Sequence, residues 1–221
     1  LSIISIMSHP IHQALREVRE LRQRILEKQR FKGYSGRARA LGGCAALLMG
    51  LVLAGGFAPV TDRVQLLGWG IVLVAALALN FGALVYWFLY DPEVGRDWRR
   101  LKPALEALPV LIAGGVLTVA LVREGELDLL FGLWMTLYGL ANFTSRRVLP
   151  RAVAWVGAYY LLAGAVCLLV PGVGFHQPLV MGGVFFVGEW FGGLVLHFDE
   201  RAGNSVWAFF GLPNPFPRHD G

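Results

Sequence analysis

Six apolar stretches, separated by short polar links that are alternately rich and poor in arginine, constrain this chain more than any other feature. They cover residues 40–60, 66–90, 104–122, 127–143, 152–170 and 178–198. A helix rises about 1.5 Å per residue, so roughly 20 apolar residues cross the hydrocarbon of a bilayer. With 56% hydrophobic residues the chain has runs of nearly that length, whereas a soluble domain would use short amphipathic elements. The expected fold is all-α: a polytopic membrane protein of six transmembrane helices arranged as three hairpins, with an N-terminal cytoplasmic amphipathic helix. The fourth stretch is the shortest, bounded by Asp128 and by Arg146 and Arg147.

The basic residues orient the spans. Of twenty Lys and Arg, eighteen fall in the N-terminal tail, the second and fourth links and the C-terminal tail. Only Arg63 and Arg123 lie in the alternate links. The positive-inside rule then predicts a multi-pass protein of the inner (cytoplasmic) membrane with both termini in the cytoplasm. Topology thus accounts for the net charge of +5, and nucleic acid is not an expected partner. Membrane lipids are, with anionic lipid at the cytoplasmic face. The protein partners expected are a second copy or a subunit of a membrane complex.

Three segments follow: a cytoplasmic tail with the amphipathic helix (1–36), the six-helix domain (37–198) and an aromatic, Pro-rich cytoplasmic tail (199–221). In residues 8–31, Ile11, Leu15, Val18, Leu21 and Ile25 recur at helical spacing, with Arg and Glu on the other faces. That pattern predicts a helix lying on the inner leaflet or pairing with another. The run 1–7 is too short for a signal peptide, and Met7 is a candidate start. In the C-terminal tail Pro213, Pro215 and Pro217 end any helix, and the aromatic residues before them are expected to lie on the inner membrane surface or dock to a partner.

Inside the spans, Gly43 and Gly50, Gly132 and Gly139, and Gly157 and Gly164 are each seven apart, which returns to nearly the same helix face. Small residues on one stripe predict close helix packing. Cys44 and Cys167 lie toward opposite ends of their spans, too far apart for a disulfide, and read as packing residues. A weak repeat gives each even helix one amide or carboxyl: Asn80, Asn142 and Glu189. The glycine-punctuated "AWVGAYYLLAGAVCLLVPGVG" and "QPLVMGGVFFVGEWFGGLVL" resemble the HdeD-like family of small bacterial membrane proteins associated with acid resistance. The resemblance covers the spanning part only. It implies a bacterial inner-membrane protein and supplies no catalytic residue.

Glu189 is the ionisable residue read as lying well inside a span. Asn80, Tyr160 and Tyr159 are its candidate partners, and Asn142 is a further polar candidate. With every Lys and Arg assigned to the links and tails, desolvation predicts a neutral carboxylic acid bonded between helices, a role that Glu189→Gln would preserve. His176 and His197 are separated by roughly 30 Å of helix and cannot clamp one haem. No metal-ligand, paired-carboxylate or phosphate-loop motif is present in the sequence, and no cofactor is predicted. These features favour a non-enzymatic membrane module, stress-related or a subunit of a larger assembly. The alternative is a small transporter or channel using Glu189.

Overall fold

The computed structural model describes residues 18, 34–56, 61–90, 101, 105, 108–145, 149–200 and 206–212. The chain divides into two compact units, Leu1–Phe31 and Lys32–Gly221. Of the first, only Val18 is described; it is helical and 61% exposed, and the rest of the expected amphipathic helix lies outside the described residues.

Among the described residues of the second unit all regular structure is helical. Its helices are α1 (Gly36–Ala54), α2 (Asp62–Tyr90), α3 (Leu108–Glu124), α4 (Leu129–Thr144), α5 (Val153–Leu169), α6 (Pro178–Glu200) and a single turn, α7 (Val206–Phe209). Each apolar stretch has become one of the six longer helices. Three of these, α1, α2 and α6, are long and apolar enough to cross a membrane, which marks the chain as a membrane protein. The helices α4 and α5 are apolar but shorter.

Local chemistry sets the boundaries. Ser35 caps α1, its Oγ accepting from the Ala38 N–H at 3.3 Å. The helix therefore begins four residues before the apolar run and takes in Arg39. At the C-terminal end of α3 the Glu126 N–H donates to the Leu121 carbonyl at 2.9 Å and the Gly125 N–H to that of Val122 at 3.4 Å. This is a Schellman closure, and it requires the positive φ of 78° that Gly125 adopts.

Two antiparallel helix pairs dominate the packing: α1 against α6 and α4 against α5. Both rest on glycine. A Cβ on Gly139 would lie 2.9 Å from the Gly157 carbonyl oxygen, and one on Gly157 the same distance from that of Gly139. Gly132 and Gly164 repeat the relation at 3.0 and 2.9 Å. Between α1 and α6, a Cβ on Gly50 would approach the Pro178 carbonyl at 2.9 Å and one on Gly182 that of Ala46 at 2.9 Å. Lipid removes the hydrophobic drive between helices, so backbone approach of this kind supplies the van der Waals contact that holds them.

Between the pairs lies an aromatic core. Trp69 on α2 meets the edge of Phe131 at 5.4 Å, and Phe131 meets Phe175 of the α5–α6 link at 5.3 Å. The outward faces of α2 and α3 are apolar and exposed, with Leu67, Ile71 and Val74 on the first and Ile112, Val116 and Val119 on the second. Such faces suit hydrocarbon rather than water.

A buried ion-pair network as candidate functional site

The heptad stripe that packs α1 on α6 carries a charge. Gly36, Arg39, Gly43, Ala46, Gly50 and Leu53 recur at spacings of three and four residues, and all are buried. Four are small or lack a side chain, so the long arm of Arg39 enters the space beside them. Gly192 on α6 makes that space: a Cβ there would lie 2.6 Å from the Arg39 Cζ.

Arg39 meets Glu189. Its Nη2 donates to Glu189 Oε1 at 3.1 Å, and its Nε lies 2.9 Å from Oε2 as an ion-pair contact, with an N–H not aligned on any acceptor. The two residues are only 7% and 5% exposed. Tyr160 of α5 donates its hydroxyl to Oε1 at 2.8 Å, and Tyr138 of α4 donates to Oε2 at 3.1 Å. Gly188 admits the first of these, because a Cβ there would come within 2.5 Å of the Tyr160 hydroxyl. Asn142 completes the set: Oδ1 accepts from Arg39 Nη2 at 2.9 Å while Nδ2 donates to the Tyr138 carbonyl at 2.8 Å. The tyrosine rings meet edge to face at 4.9 Å, and the guanidinium carbon lies 5.7 Å from the Tyr138 ring centre. Four helices are thus tied at one point.

Of the residues singled out from sequence, Glu189, Tyr160 and Asn142 come together. Asn80 does not: its Nδ2 donates to the Ala76 carbonyl of its own helix at 2.9 Å. Tyr159 also points elsewhere, donating to the Val184 carbonyl at 3.1 Å. The expectation that no cation reaches Glu189 is corrected by Arg39, which a boundary drawn on hydropathy had assigned to the tail. Arginine stays charged in proteins, and the counter-charge of Glu189 lets the capped helix start below it. Tyr138 is a member of the network not singled out from sequence. Its position four before Asn142, hence on the same face, was the available signal.

Chemically, both carboxylate oxygens are occupied by donors from within the chain and the group is closed from solvent. Among the described residues no group of three His, Cys, Asp or Glu side chains is placed to hold a metal ion. The thiols of Cys44 and Cys167 are free; the first accepts from Trp190 Nε1 at 3.3 Å.

A second polar contact joins the links at the far end of the bundle. His176 Nδ1 lies 3.0 Å from Asp128 Oδ1 and its Nε2 3.1 Å from Asp62 Oδ1, so one imidazole spans the start of α2, the α3–α4 link and the α5–α6 link. The hydrogen bond to Asp128, reinforced by that to Asp62 against a slight burial penalty, raises the His176 pKa above its ordinary value. In comparisons with known proteins the chain matches no protein-family model, no curated protein and no solved structure.

Proposed function

We propose that this chain is a non-enzymatic membrane module of six spans, with both termini in the cytoplasm of a bacterium, and that the Arg39–Glu189 network is its structural lock. One observation carries the reading: the carboxylate of Glu189 has all its partners inside the protein and no open side for substrate, water or ion. A transporting carboxyl must be reached from each side in turn. A locking one need only be satisfied.

The six-span reading rests on the arginine distribution and on the helix order. The helices α3, α4 and α5 have 17, 16 and 17 residues. Each is about 24–26 Å long, close to the hydrocarbon thickness once flanking charges reach the interfaces. In the sequence Arg146 and Arg147 follow α4 and Arg151 precedes α5, which supports a cytoplasmic interface at that end. In this role the exposed faces of α2 and α3 contact lipid or a larger membrane assembly.

Flux measurement in proteoliposomes tests the reading. With a pH-sensitive dye inside, vesicles containing the protein are expected to dissipate an imposed proton gradient no faster than protein-free vesicles. Proton flux through the wild type that is absent from a folded Arg39→Gln, Glu189→Gln double variant would overturn it in favour of transport.

A further inference from the structure

Near the His176 end of the bundle, α2 buries polar atoms that the network does not use. Gln65 is fully buried, yet neither its Nε2 nor its Oε1 has a hydrogen-bond partner among the described residues. Trp69, also buried, has an equally unpartnered Nε1. Residues four apart on a helix lie one above the other on the same face, so an amide donor, an amide acceptor and an indole donor are brought to one patch. Burying such atoms unpaired is costly, and native interiors satisfy them with protein or ordered water.

The surroundings limit what could satisfy them. Gly68, between the two residues, sets α2 close to Met49 and Leu53 of α1, where a Cβ would lie 3.0 Å from the Met49 sulfur and 3.4 Å from a Leu53 methyl. On the other side the Trp69 ring abuts Phe131. These walls are apolar, and the patch itself is neutral, so nothing there compensates an ion. Both residues are closed from solvent, so any occupant must be small. It must accept from the indole and donate to the amide oxygen.

We propose that Gln65 and Trp69 form an internal hydration site, in which at least one water accepts from Trp69 Nε1–H and donates to Gln65 Oε1. A water with two to four polar partners is the usual resolution of such a cluster. The site sits about one helical turn from Asp62, at the end of the bundle where His176 bridges the links.

Solid-state NMR of the full chain in phosphatidylethanolamine and phosphatidylglycerol vesicles tests this through magnetisation transfer from water. The wild type is expected to show transfer to the Trp69 indole N–H, and Gln65→Leu to lose most of it while the Trp134 indole signal is unchanged. Should Gln65→Leu not fold, Trp69→Phe keeps the ring contact with Phe131, and the Gln65 side-chain amide is expected to retain its transfer from water. Absence of transfer at Trp69 in the folded wild type would overturn the proposal. So would transfer undiminished in Gln65→Leu, or a cross-peak from either side chain to a carbon-bearing ligand in place of water.

Discussion

The guanidinium of Arg39 fills the space in which a side chain on Gly192 would begin, with Cζ 2.6 Å from the place a Cβ would occupy. One residue lacks a side chain so that a distant one can be charged.

The pair is expected to behave as a unit. Arg39→Met or Glu189→Met alone leaves a buried charge unpaired and should cost about 3–5 kcal/mol. Changing both should cost clearly less than the sum, measured by reversible unfolding in mixed micelles. Glu189→Gln keeps the shape but removes the counter-charge, so it too should destabilise. Additive single effects would show that the two charges are not coupled.

Glycine positions separate into two classes. Gly139→Ala and Gly157→Ala push a methyl against a facing backbone, which cannot yield as a flexible side chain would, and should each cost roughly 1–3 kcal/mol. Gly70→Ala and Gly82→Ala meet nothing within 4 Å. There the helix propensity of alanine is expected to stabilise by up to about 1 kcal/mol. Thermal unfolding of the four variants checks the order.

His176 gives stability a pH dependence of definite sign. Its folded-state pKa is raised above the ordinary value of 6.5, so the clasp contributes fully below that value and is lost as pH rises through the folded-state pKa. Because the imidazole side chain is 59% exposed, the contribution should be under about 1 kcal/mol. His176→Gln is expected to flatten this part of the stability curve, and NMR titration of the imidazole to show the raised midpoint.

Topology is checked by reporter fusions. Fusions after Arg63 and Arg123 should read as external, and those after Arg100, Arg147 and Arg201 as internal. A reversed neighbouring pair would remove the span between them.

Hydropathy made the helices legible because the apolar runs are long and the links carry the charge. The glycine pairs were legible too, since a seven-residue repeat returns to one helix face: Gly132, Gly139, Gly157 and Gly164 all lie at the α4–α5 contact. Arg39 was lost for a physical reason. A hydropathy window ends at a charge, while a helix ends where its backbone bonds are capped, and Ser35 supplies that cap four residues earlier. The small-residue stripe running through Gly36, Gly43 and Gly50 contained the missing signal, since Arg39 falls in register with it. Asn80 misled because an amide can be satisfied by its own helix, which no spacing reveals.

The register of α1 on α6 also bears on how the protein is made. Ribosomes deliver α4 and α5 one after the other, so their glycine faces can engage as soon as both are inserted. By contrast, α1 has its most extensive contact with α6, and Arg39 must wait for a carboxylate 150 residues downstream. Its place in the first turn of α1 suits that wait, because a long side chain there can reach the aqueous boundary until Glu189 arrives. Nascent chains released before Pro178 should therefore keep Arg39 open to water-soluble arginine reagents, and full-length chains should protect it.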